Sequence, residues 1–158
     1  MDESADVLAR LTRIEDLQQI RDLKMRYARY ADAGYDAVGL ASLFAPDAVW
    51  DGGALFGRAE GTEALRAHFA TAPEAIPWAL HYILAPELAL DPDGVRATGT
   101  WYLWQPCTRR RRSGEERQAW LAGTYRDTYV KLDGVWRFQT VQVDARWLDA
   151  LPSTLPTA

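Results

Sequence analysis

At 158 residues with a net charge of −4, 48% hydrophobic and 25% charged residues, the chain has the size of one domain with one substantial core. That balance excludes a disordered, collagen-like or coiled-coil chain, and its sign argues against a general nucleic-acid binder. A lone cysteine, Cys107, excludes an intrachain disulfide and a cysteine-rich zinc site, and reads as a small buried hydrophobe.

Met1-Asp2-Glu3-Ser4 carries no cationic leader, which argues against a secretory signal; the first six residues read as flexible. From Ala5 to Ala31, apolar side chains recur every three to four residues, through Val7, Leu8, Leu11, Ile14, Leu17, Ile20, Leu23 and Tyr27, which predicts a long amphipathic helix stopped by Gly34. A second helix is expected from Asp36, a natural N-cap, to Phe44, ahead of the strand-like Ala48-Val49-Trp50. A third starts near Thr62, shows one apolar face through Leu65, Phe69 and Ala72, and is expected to end at Pro73.

The rest of the chain is β-rich. Strands are predicted over Trp78–Leu84, Glu87–Leu90, Val95–Cys107, Arg117–Lys131 and Val135–Trp147, with Asp93-Gly94 and Asp133-Gly134 as hairpin turns. In the last strand, strict alternation would put Trp136, Phe138, Thr140, Gln142, Asp144 and Arg146 on one face, opposite Val135, Val141 and Val143. The apolar stretch of residues 75–90 is broken by Pro77, His81, Pro86 and Glu87, too short a run to cross a bilayer, so a soluble cytoplasmic protein with no membrane partner is expected. Arg109 to Arg112 fall between two strands and before Glu115 and Glu116, which reads as a solvated loop tip, with capture of an anion as the alternative. The tail, residues 151–158, contains two prolines and reads as an extended cover or subunit contact. Helices first and long antiparallel strands after them give an α+β fold of one domain, the helices packed against a bent sheet around a pocket.

Two histidines are present. His68, on the third helix, reads as a surface or packing residue. His81 lies among Trp78, Leu80, Tyr82 and Ile83, where a titratable ring can serve as an acid/base group or be satisfied by a backbone carbonyl. Asp32, at the helix end where the macrodipole disfavours a carboxylate, is its natural partner; alternatively it is a solvated turn residue. A carboxylate on a histidine fixes the ring tautomer and stabilises the imidazolium formed on proton removal. Tyr102, Trp104 and Trp120 are candidate cavity aromatics, although strand aromatics are more often core. Asp127 reads as structural and Asp144 as a pocket candidate.

Four segments carry a family resemblance. They are Ile20-Arg21-Asp22-Leu23 with Arg26-Tyr27 and Asp32; residues 43–50; residues 99–103; and residues 125–138. Together with His81 they resemble the nuclear-transport-factor-2-like superfamily, in its SnoaL-like branch, which includes scytalone dehydratase, bile acid 7-alpha-dehydratase and hexachlorocyclohexane dehydrochlorinase. The resemblance implies a cone-shaped barrel of N-terminal helices on a strongly curved, mostly antiparallel sheet, and a homo-oligomer, trimer before dimer. It implies that Asp32 and His81 are the catalytic carboxylate and histidine, that Tyr27 is a pocket tyrosine, and that Tyr125 and, after a one-residue shift, Arg146 contact substrate. On an unbroken helix Tyr27 and Asp32 project roughly 140° apart, so both reach one pocket only if the helix ends or bends.

The expected activity is a lyase, a dehydratase using neither metal nor organic cofactor, acting on a hydrophobic, cyclic, carbonyl-activated small molecule. His81 removes the proton, Asp32 orients it, and Tyr27 or Tyr125 holds the oxyanion. An isomerase or polyketide-type cyclase would use the same pair. A non-catalytic binding or interaction subunit would leave Asp32 and His81 apart, and an epoxide hydrolase would need an Asp-Arg-Asp cluster from Arg126, Asp127 and Asp144.

Overall fold

A computed structural model of the chain describes residues 3–150, with the side chains of residues 147, 149 and 150 outside that description. The tail over 151–158, read as a cover or subunit contact, lies outside the described residues. Helix α1 (Glu3–Asp32) is slightly longer than its apolar spacing indicates, and residues 3–6, expected to be flexible, form its first turn. Its second half is core, with Ile20, Leu23, Tyr27 and Ala31 buried, while Val7, Leu8, Leu11 and Ile14 remain exposed. The chain leaves α1 through Gly34 and Tyr35 at φ 79° and 58°. Glycine adopts that conformation freely; Tyr35 does so with its amide bonded to the Ala31 carbonyl.

Helix α2 (Ala37–Ser42) is capped by Asp36, whose carboxylate accepts from the Gly39 amide at 3.0 Å. Strand β1 (Phe44–Asp51) follows, then α3 (Gly53–Phe56) and β2 (Arg58–Glu60), two elements too short to leave a periodic signal. Helix α4 (Thr62–Ala75) continues two residues past Pro73. There the proline sits in the last turn, where its missing N–H removes one hydrogen bond near an end that the Ile76 amide closes on Ala72.

Strands β3 (Trp78–Ala79), β4 (Tyr82–Leu90), β5 (Arg96–Arg110), β6 (Glu116–Leu132) and β7 (Val135–Ala150) complete one mixed sheet of order β2-β1-β7-β6-β5-β3, with β4 also paired to β5. Among the described residues only β1 and β7 run parallel; every other pairing is antiparallel. The β6–β7 turn has Asp133 and Gly134 at φ 48° and 78°, the two-residue hairpin geometry whose twist matches that of the strands. Helices followed by this strongly curved sheet make an α+β half-barrel with a concave inner face. Among the described residues no helix is long and apolar enough to cross a membrane.

The alternation expected of β7 breaks at a bulge. Phe138 pairs with Tyr129 and Thr140 with Thr128, leaving Gln139 as an extra residue. Such an insertion reverses the parity of everything beyond it. Trp136 and Phe138 are therefore inward with Val141 and Val143, whereas Thr140, Gln142 and Asp144 are not.

Candidate active site

Between the inner face of the sheet and α1, α3 and α4 lies a cavity of about 280 Å³. Its floor comes from Leu103 and Gln105 of β5, Leu121 and Tyr125 of β6, and Val143 of β7. Helix α4 supplies a wall through His68, Ala72 and Ala75 at helical spacing, and β1 supplies Trp50. Apolar groups dominate, with a few polar side chains among them, as in small-molecule sites generally.

His81 occupies the break between β3 and β4 and lines this cavity. Its ring Nδ1 lies 2.8 Å from Asp32 Oδ1, and its backbone amide donates to the same oxygen at 2.8 Å. A carboxylate acceptor fixes the hydrogen on Nδ1 and leaves the Nε2 lone pair for the cavity. The His81 side chain is only 5% exposed and that of Asp32 27%. Tyr35, held in its left-handed conformation, sets its ring edge-on to the imidazole, centroids 5.9 Å apart.

Tyr27 also lines the cavity, although α1 is unbroken through Asp32. The angular conflict on that helix disappears because Asp32 does not face the cavity; it stands behind His81. Trp50 Nε1 donates to the Tyr27 hydroxyl at 2.9 Å, and Tyr125 lies beside it, ring centroids 6.0 Å apart. The two hydroxyls also hydrogen-bond each other; with Tyr27 accepting from the indole and from Tyr125, its own O–H can donate into the cavity. Burial raises the Tyr27 and Tyr125 pKa values above the ordinary phenol value, so both hydroxyls stay protonated.

Five of the residues expected in the pocket do not line it. Tyr102 and Trp104 fall on the outer parity of β5, and both are exposed. Trp120, on the outer face of β6, stacks on Trp104 with centroids 4.9 Å apart. Asp144, turned outward by the β7 bulge, forms ion pairs with Arg146 at 2.9 Å and Arg126 at 3.5 Å. Arg146 is exposed, at a second register shift of β6 against β7. An Asp-Arg-Asp cluster is not assembled either, because Asp127 is on the inner face, opposite Arg126 and Asp144. It is fully buried against Lys24 at 2.8 Å and accepts from the Tyr129 hydroxyl at 2.8 Å.

Within the arginine run, Arg110 and Arg111 pair with Glu116 and Glu115, as does the neighbouring Arg117 with Glu115. Of the residues that line the cavity only Tyr27, His81 and Tyr125 were expected there; among those missed are Trp50, His68 and Gln105. For His68 a signal existed, since 68, 72 and 75 form a helical row beside the buried row of Leu65 and Phe69. Trp50 and Gln105 had none beyond strand parity.

A base with an oriented lone pair, a hydroxyl donor and a largely apolar enclosure can together remove a proton from carbon and hold the resulting oxyanion. Against known proteins, the model of the SnoaL-like domain matches residues 12–142. No curated protein matches the sequence significantly. Solved structures with the same fold include a hexachlorocyclohexane dehydrochlorinase from Novosphingobium barchaimii (20% identity, TM-score 0.79, covering 94% of this chain and 98% of that one). A scytalone-dehydratase-like protein from Novosphingobium aromaticivorans is similar at 19% identity and TM-score 0.77, covering 90% and 92%. So is an NTF2-like protein of cystatin-like fold from the same organism, at 25% identity and TM-score 0.67, covering 92% of each chain.

Proposed function

The chain belongs to the SnoaL-like domain family, and from that premise we propose that it is a cofactor-independent acid/base lyase, a dehydratase of apolar, carbonyl-activated small molecules. One observation carries this reading: His81 Nδ1 is bonded to Asp32 at 2.8 Å while the same ring lines an apolar cavity. In the reaction, His81 Nε2 takes the proton next to the substrate carbonyl, and the C–H electron pair becomes an enolate whose oxygen accepts from the Tyr27 hydroxyl. Asp32 faces the imidazolium that forms. The enolate then re-forms its carbonyl, a C=C bond is made and the β-C–O bond breaks. The departing hydroxide takes the proton back from His81, giving water and a conjugated enone. Returned to another carbon, that proton would instead complete an isomerisation by the same residues.

The test is dehydration of the aldol of benzaldehyde and acetone, a β-hydroxy ketone, followed by the ultraviolet absorption of benzylideneacetone. Acceleration by the wild-type chain and a fall of about 10²–10⁴-fold in His81→Ala are expected. No acceleration, or a His81→Ala variant as active as wild type, overturns the reading.

A further inference from the structure

His68 lines the same cavity as His81 but belongs to a different wall, α4. Its ring lies against the Trp50 indole, centroids 4.6 Å apart at 40°, and against Phe69 at 5.6 Å. That indole is the one whose N–H orients Tyr27. Other polar groups of the wall are engaged: the Thr71 hydroxyl bonds the His68 carbonyl and Gln105 interacts with Tyr35. Among the described residues no hydrogen bond to either nitrogen of the His68 ring is formed, although the ring is half-buried. A donor and acceptor left unspent on a cavity wall can bond what the cavity holds.

We propose that His68 is a substrate contact that hydrogen-bonds the departing oxygen, so that the substrate is an apolar molecule with two oxygen functions, a carbonyl for Tyr27 and a β-hydroxyl for His68. This rests on the lyase reading above and adds to it a specificity-determining residue that recognises the substrate's β-hydroxyl. Burial lowers the His68 pKa below the ordinary imidazole value, with no carboxylate among the causes, so the ring acts as a neutral imidazole. It keeps its own proton throughout: its N–H donates to the oxygen while the β-C–O bond breaks, and the proton that makes water still comes from His81. A neutral imidazole that polarises an oxygen without transferring a proton is a known catalytic arrangement.

The experiment uses two eliminations with different leaving groups. In nitrobenzisoxazole a base removes the ring C–H and the N–O bond breaks to a stabilised phenolate, which needs no hydrogen bond to depart. In the benzaldehyde–acetone aldol the leaving group is hydroxide. His68→Phe keeps the ring stack on Trp50 and removes the polar edge; His68→Gln keeps a polar group and loses the stack.

Expected is a fall of about 10²-fold in kcat/KM for the aldol in His68→Phe. The fall for nitrobenzisoxazole is much smaller, and His68→Gln recovers part of the aldol activity. If both probes fall together in His68→Phe, or if His68→Gln is worse than His68→Phe on the aldol, His68 is a packing residue and the proposal is overturned. Failure of the parent reading looks different: the wild-type chain then does not accelerate the aldol dehydration, or His81→Ala accelerates it as well as wild type does.

Discussion

Among the pairs of opposite polarity that join α1 to elements beyond it, Lys24–Asp127 and Asp32–His81 differ in what surrounds them. Lys24 and Asp127 meet at 2.8 Å with both side chains 0% exposed, and the ammonium also lies 3.5 Å from the centroid of the Tyr125 ring. Asp32 and His81 meet at the same 2.8 Å, but the imidazole opens onto the cavity. In the first pair burial lowers the Lys24 pKa and raises that of Asp127, each opposed by the partner's charge. Nothing from outside can reach either group, so the pair ties the helix to the sheet. Equal contact geometry thus suits anchoring in one place and, on the proposed function, chemistry in the other, and access to the cavity separates them.

Breaking each pair sharpens that contrast. The largest stability effect is expected from Lys24→Met, which leaves the Asp127 carboxylate buried and unpaired and destabilises by about 3–5 kcal/mol. Adding Asp127→Leu should restore much of the loss, measured by urea unfolding. Asp32→Asn should shift the urea midpoint little, because Asp32 is part-exposed. It should nonetheless lower aldol dehydration by about 10²-fold or more, through the wrong histidine tautomer. The reverse pattern would mean that both pairs are anchors.

A smaller effect is expected from Trp50→Phe, which removes the indole N–H from Tyr27: about 1 kcal/mol of stability, with dehydration reduced because the Tyr27 hydroxyl is no longer oriented. The smallest concerns pH. His68 binds a proton less readily in the folded state than its ordinary value of 6.5. Below that pH the unfolded chain therefore holds more protons, and stability is lost as the pH falls. Urea unfolding about one pH unit either side of that value should show a shallower pH slope in His68→Phe than in the wild-type chain.

Much of this was legible in the residues. The apolar spacing of α1, the Asp36 cap and both hairpin turns specify local structure by local chemistry, and each element formed close to its expected bounds. Asp32 and His81 could be named because a carboxylate at a helix end and a histidine in an apolar setting are both unusual enough to ask for a reason. The outer-face residues were misread because sheet parity is set by the whole ladder. One extra residue at Gln139 turns Asp144 away from the cavity, and its trace in β7 is the shift of apolar residues from Trp136 and Phe138 to the opposite parity at Val141 and Val143. Tyr102, Trp104 and Trp120 show the other difficulty, that aromatic character says nothing of which face a strand residue occupies. His68 was passed over because a cavity wall and a buried face look alike until the sheet opposite is known.

The parallel pairing of β1 with β7 brings Phe44 beside Phe138, so the strand that carries Trp50 is joined edge to edge with the last strand of the fold. Contacts this distant along the chain form late and slowly, since the intervening segment must be closed before they are rewarded. During synthesis α1, with Tyr27 and Asp32, leaves the ribosome long before Val143 can complete the cavity floor. An emerging chain can therefore carry its helix, its turns and even its Asp32–His81 pair while the cavity they border is still open on one side.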